Sequence, residues 1–459
     1  MAHLLGLRAA VAAGAHLSTY RGAWRGCLWQ RSDRLPWPPL PQLVLLNADQ
    51  LMQHVESSPA VPPEAQRAFR LFAEDLQAAA STLSLWARLI TRWAVQVHVR
   101  SHEVLQRDLD RFAVTSSPLK APIFIVGLPR TGTTLLHHLL ALDPESQCLR
   151  AFELMRPTRP MSSWFPQLMD ALDWARLSLL MRIGELIAPQ WPHHHSLDAN
   201  SPEECLFAMQ RSMPLDTHYR AEPRLLAVYA AEEEISLAAY QRYRAFLQQV
   251  QLRRGSERRR YVLKGQLLHL HFLPQLRAVF PDARVIWLHR PAEQVVGSLC
   301  SLRRSQQEVF LRRPHDKLEV GRGALRYLSD ALERASGALP KNEEAERFLH
   351  VQYESLVADP VAVVERIYNA FGWRVSLEHR QAMKEYLEAS SAQRLRNEKG
   401  RQRYHDASLS HYGLSEEAVR KHFQACSSLA DLDCHSLDGG VLLHSDLLTR
   451  DAKGATAPA

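Results

Sequence analysis

Ile125-Val126-Gly127-Leu128-Pro129-Arg130-Thr131-Gly132-Thr133-Thr134, running on into Leu135-Leu136-His137-His138-Leu139-Leu140, is the stretch that decides how this chain is read. The apolar run Ile123–Val126, of the type buried on both faces of a parallel sheet, enters a glycine-bounded turn, and an amphipathic helix follows. In that geometry successive backbone N–H groups and a helix N-terminus surround a phosphate. Gly127 and Gly132 stand at G-x-x-x-x-G spacing, but Thr133 occupies the place where a nucleoside triphosphatase carries its lysine. The cation lies inside the loop instead, as Arg130, followed by Thr131 and Gly132, with hydroxyl donors on Thr133 and Thr134. A glycine turn capping an ordinary helix would not need this combination.

Outward from the loop, further strand-like runs are Tyr261-Val262-Leu263, Val285-Ile286-Trp287-Leu288 and Phe348-Leu349-His350-Val351. Each precedes helix-like sequence, so the middle of the chain reads as an α/β fold: a parallel sheet covered by helices. Upstream, helical periodicity dominates from about Ala48 to Phe112 and predicts two or three packed helices. The character changes at Ser116-Ser117-Pro118. Downstream of Gly413 a helix starts with Ser415 as N-cap and Glu416 and Glu417 in its first turn. The expected organisation is an N-terminal segment 1–47, a helical extension 48–115, an α/β domain 119–425, and a disordered polar tail 426–459.

The strand Arg284–Leu288 ends in His289-Arg290-Pro291, where a triphosphatase would carry an Asp for magnesium. Pro291 fits the first turn of a helix, and Ser298 lies eight residues beyond Arg290, just over two turns. Arg290 and Ser298 can therefore meet a second phosphate. Two phosphate sites and no metal ligand point away from ATP and toward a nucleotide phosphorylated at both ends.

Pro129-Arg130-Thr131-Gly132-Thr133-Thr134 resembles the 5′-phosphosulfate loop of sulfotransferases that use 3′-phosphoadenosine 5′-phosphosulfate (PAPS), with arginine where cytosolic members have lysine. Arg290 with Ser298 resembles their 3′-phosphate motif, and Tyr353-Glu354-Ser355-Leu356-Val357-Ala358-Asp359-Pro360 a later Y-x-x-L-x-x-D-P segment. The resemblance covers roughly 121–423 and is closest to the bacterial-type branch. It implies a P-loop-like fold and transfer of a sulfuryl group from PAPS, as co-substrate and without a metal, to a hydroxyl or amine of a small acceptor.

Lys264, at the end of the strand Tyr261–Leu263, is either a solvent-reaching lysine or, by the resemblance, a stabiliser of the transition state. Cytosolic members follow that lysine with Thr-His; here Gly265-Gln266 follow, leaving the base open. Position in the resemblance favours Glu153, while intrinsic pKa favours His269. Lys399-Gly400-Arg401, in the basic stretch 396–413, loosely matches a loop over the 3′-phosphate, and a solvated loop reads equally well. Ser201-Pro202-Glu203-Glu204 reads as a capped helix start, and the resemblance, whose bacterial-type branch also carries P-E-E here, leaves an unassigned pocket role open.

Composition narrows the remaining classes. The 459 residues are 46% hydrophobic and 23% charged, which excludes a disordered or fibrous chain. No apolar stretch approaches the length of a membrane span. The net charge of +7 favours anionic partners, but the Arg253–Arg260 run lacks interleaved aromatics and reads as a solvated loop, so no nucleic-acid partner is indicated. His193-His194-His195 alternate in direction along extended chain and do not make a metal site. Six scattered cysteines without a C-x-x-C pair suit a reducing, cytoplasmic setting. The alternative is organelle targeting through the acid-free stretch 1–32. Competing functions are a P-loop kinase and an idle nucleotide-fold binding protein. An acceptor pocket is expected around Trp164, Trp191 and the histidine run, whose Trp and Leu content favours an apolar alcohol or phenol over a polymer sugar; the acceptor's identity and the oligomeric state are not legible.

Overall fold

The computed structural model describes residues 47–155, 160–161, 165–187, 198–404, 407–426 and 440–447, with backbone alone for 166–167, 184–187, 392–404 and 425–426. The N-terminal segment, Trp164, Trp191, the histidine run and most of the C-terminal tail lie outside the described residues.

Three helices lead in: α1 (Ala48–Glu56), α2 (Pro63–Ala78) and α3 (Leu85–Arg111). Asn47 caps α1 by accepting from the Asp49 and Gln50 N–H groups, Pro63 opens α2, and Ser84 caps α3. Their apolar faces join one core with the sheet.

After β1 (Ile123–Gly127) come α4 (Thr133–Ala141), the two-residue β2 (Ser146–Gln147) and α5 (Ala151–Leu154). Four helices follow: α6 (Pro166–Ile187), α7 (Leu206–Met209), α8 (Leu225–Ala231) and α9 (Glu233–Arg254). Next are β3 (Arg260–Gly265), α10 (Gln266–His271), α11 (Leu273–Val279) and β4 (Arg284–His289), then α12 (Ala292–Phe310) and α13 (Lys317–Gly337). The last elements are β5 (Phe348–Gln352), α14 (Tyr353–Ala358), α15 (Pro360–Ala370), α16 (Leu377–Tyr404), α17 (Glu416–Cys426) and β6 (Val441–Leu443).

The sheet runs β2-β3-β1-β4-β5-β6, parallel except for the antiparallel β5–β6 pair. Period-two geometry divides its side chains between two cores. Phe124 and Val126, with Leu263 and Trp287, face the α9 and α12 side. Ile123, Ile125, Val262 and Ile286 face Leu136, Leu139 and Leu140 of α4. All four expected strands take their places. Because β3 and β4 flank β1 on opposite sides, the chain reverses direction of travel there, and the loops after β1, β3 and β4 open at one sheet edge. That switch point is where doubly wound folds hold their ligands.

Three expectations are corrected. The disordered-tail reading misses β6, which pairs Val441 with Val351 and Leu443 with Leu349. The stretch 396–404 is helical backbone within α16, not loop. The Arg-rich run is largely partnered: Arg253 and Arg254 close the C-terminus of α9 against acidic groups, and Arg260 starts β3 bonded to Glu145 at 2.8 Å.

Candidate active site

The loop between β1 and α4 is held by conformation as well as contacts. Gly127 has φ +146°, and a Cβ there would approach the Leu288 carbonyl oxygen to 2.7 Å. Gly132, left-handed at φ +86°, caps α4, and Arg130 also adopts a positive φ of +70°. A non-glycine residue rarely sits there without a local reason. Thr131 is fully buried, its hydroxyl donating to the Leu128 carbonyl at 2.7 Å, so its side chain closes the loop and faces inward.

The remaining residues of the two motifs converge. Arg130 Nε donates to Ser298 Oγ at 3.1 Å, and Arg290 Nη1 donates to the Arg130 carbonyl at 2.7 Å. The Arg290 guanidinium stacks 4.1 Å over the Tyr353 ring and forms no ion pair with any described carboxylate. Tyr353 also backs Gly132, where a Cβ would lie 3.1 Å from its ring. Asp359 and Pro360 of the same segment start α15, with Asp359 accepting from the Ala362 N–H at 2.9 Å.

Lys264 does not snorkel. It is fully buried, donating to Thr134 Oγ1 at 3.1 Å and paired with Glu204 Oε1 at 3.1 Å. Burial opposes its charge, but Glu204 and Glu203 outweigh that and leave its pKa raised. Residues 201–204 form no helix start: an antiparallel bridge joins Pro202 to Arg150, and the Cys205 N–H donates to the Lys264 carbonyl at 2.7 Å. This hook carries Glu204 to the end of β3. Gln266, with Nε2 donating to Thr133 Oγ1 at 3.0 Å, completes the cluster.

Neither expected base reaches this cluster. Glu153 closes a capping box on α5, accepting from the Arg150 N–H at 2.9 Å, and its carboxylate is gripped by Arg254. His269 is fully buried beneath Gly265, bonded through Nδ1 to the Tyr240 hydroxyl at 2.7 Å and set edge-on to Phe124. Burial pushes its pKa down to about 3.

A cavity of about 1170 Å³ opens over the loops. One end carries Arg130, Gly132, Thr133, Thr134, Arg290 and Ser298; the rest is mostly apolar, including Trp86, Ile90, Leu206, Phe207, Leu226 and Phe310. Glu204 is the one carboxylate among the described residues lining it. Neither Glu153 nor His269 does.

These loops on a doubly wound sheet define the class, a P-loop-like α/β protein. The chain belongs to the sulfotransferase family, whose profile matches residues 122–216 and 214–376. It is 27% identical over 272 residues to the omega-hydroxy-beta-dihydromenaquinone-9 sulfotransferases Stf3 of Mycobacterium tuberculosis and Mycobacterium bovis. That match covers 55% of this chain and 62% of those relatives. Among solved structures, sulfotransferase STF1 from Mycobacterium tuberculosis H37Rv superposes with a TM-score of 0.63 at 27% identity, covering 82% of this chain and 98% of that one. Sulfotransferase STF9 from Mycobacterium avium shares the fold, with a TM-score of 0.67 at 23% identity, covering 86% and 97%.

Proposed function

We propose that this chain moves a sulfuryl group from PAPS to a hydroxyl of a small, largely apolar acceptor. One observation carries the reading: a buried Lys264 joins a phosphate-loop hydroxyl to the one carboxylate of the described cavity wall. The residues suit a doubly phosphorylated donor, because Arg130 and Arg290 stand on separate loops and Arg290 has no acidic partner to displace.

In this reading Glu204 takes over the base role expected of Glu153 or His269. It accepts the proton as the acceptor oxygen bonds to sulfur and the sulfur–phosphate oxygen bond breaks. Arg130, the loop N–H groups and Thr134 take the charge released on the 5′-phosphate, and Lys264 stands between base and leaving group. Ser298 and Arg290 hold the 3′-phosphate. The relatives named for omega-hydroxy-beta-dihydromenaquinone-9 act, by that name, on a hydroxylated menaquinone, in keeping with the apolar lining here.

The test is transfer of label from radiolabelled PAPS to hydroxylated apolar acceptors, with EDTA or with added magnesium. Equal transfer in both is expected, because Glu204 is already committed to Lys264 and the phosphate loops bring no other carboxylate. Transfer that needs magnesium, or transfer of phosphate from ATP in its place, would favour a kinase.

A further inference from the structure

We infer that the end of the cavity away from the phosphate loop binds an oxyanion of the acceptor, a carboxylate above all, through the guanidinium of Arg303. The inference rests on the sulfotransferase reading and adds the class of acceptor: an amphipathic hydroxy acid rather than a plain alcohol.

Arg303 lies on α12 and lines the cavity, yet is only 3% exposed. Its Nη1 donates to the Ala221 carbonyl at 3.0 Å, and its guanidinium lies 4.4 Å over the Tyr327 ring. Nη2 is buried with no partner. No described carboxylate forms an ion pair with it. Of the acids that act on it through space, Glu222 is turned to Arg326, and Asp216 accepts the Arg224 N–H at 2.8 Å. A buried cation with an open donor is costly until an anion arrives, and the planar guanidinium fork suits a carboxylate.

A second open group stands nearby. His218 also lines the cavity, stacked on Phe310 with centroids 5.0 Å apart, while its Nδ1 is buried without a partner. Arg303, Gln306 and Phe310 share one face of α12 at i, i+3 and i+7. Ser298, of the nucleotide end, precedes Arg303 by five residues, or roughly 7.5 Å along the helix. One helix thus carries a phosphate contact at its start and an unfilled oxyanion contact further along. Leu206, Leu226 and Leu302 line the apolar wall.

The experiment is calorimetric titration of decanoate and of decan-1-ol into the full chain, with and without adenosine 3′,5′-bisphosphate. Decanoate should bind at least about tenfold more tightly than the alcohol. Arg303→Met should erase the preference while leaving bisphosphate affinity intact, and Arg303→Lys should keep part of it. Gln306→Glu, which sets an internal carboxylate beside the guanidinium, should abolish decanoate binding even if Arg303→Met does not fold. Equal binding of the two probes by the wild type, or a preference unchanged by these variants, overturns the proposal. A wild type that prefers decanoate but ignores the bisphosphate would overturn the transfer reading, and with it the acceptor role, while the oxyanion site at Arg303 would remain.

Discussion

Lys264 carries its charge at full burial, which requires partners close enough to offset desolvation. Glu204 and Thr134 provide them, and this joins the end of β3 to the phosphate loop. If Glu204 is the base, Glu204→Gln keeps shape and hydrogen-bonding reach but cannot take the proton. It should cost roughly 10²–10⁴ in kcat while bisphosphate affinity stays close to wild type. Glu153→Gln should do the reverse, weakening the grip of Arg254 at about 1–3 kcal/mol of stability with kcat little changed. Steady-state kinetics beside thermal melts of both variants decide the matter; a dead Glu153→Gln with a normal melt would return the base to Glu153. Arg130, Arg290 and Ser298 were legible because each motif is local: a turn, a strand end, a helix spacing. For Glu204 only an unassigned pocket role was legible; its pairing with Lys264 was not, since the backbone bond from Cys205 to Lys264 that places it spans residues far apart in sequence.

At the scale of elements, the four central strands could be read because burial on both faces leaves uninterrupted apolar runs. β6 could not: three residues at an edge carry almost no pattern, and their pairing with β5 makes them a strand. The helix of 377–404 hides similarly behind its basic composition. The turn from β3 into α10 shows packing at its tightest. A Cβ on Gly265 would collide with the His269 ring, so Gly265→Ala must push the ring or the strand end that carries Lys264. We expect Gly265→Ala to cost about 1–3 kcal/mol and to lower kcat. His269→Ala in the same chain should recover part of both losses. Strict additivity in a double-mutant cycle on the melting transition would show that the two sites do not press on each other.

Across the whole molecule, buried neutral imidazoles tie stability to pH. His102 and His269 are both buried, and burial pushes each down to about 3. In the unfolded chain they titrate near 6.5. The folded state therefore binds fewer protons between those values, and stability, complete above about pH 6.5, falls as pH drops toward 3. Between pH 7 and pH 5 each should remove about 2 kcal/mol. Melting temperature should fall steadily over that interval, and His269→Phe should flatten the slope if the ring packs; a profile flat from pH 7 to 5 would refute the linkage.

The two arginine loops should form one site for a nucleotide phosphorylated at both ends. Isothermal titration of the full chain with adenosine 3′,5′-bisphosphate and, separately, with ATP plus magnesium distinguishes such a site from an ATP site. The bisphosphate should bind at least about tenfold more tightly than ATP, since Arg290 and Ser298 would meet a phosphate that ATP lacks. Binding of ATP with magnesium as tight as or tighter than the bisphosphate would rule out a second phosphate site at Arg290 and Ser298.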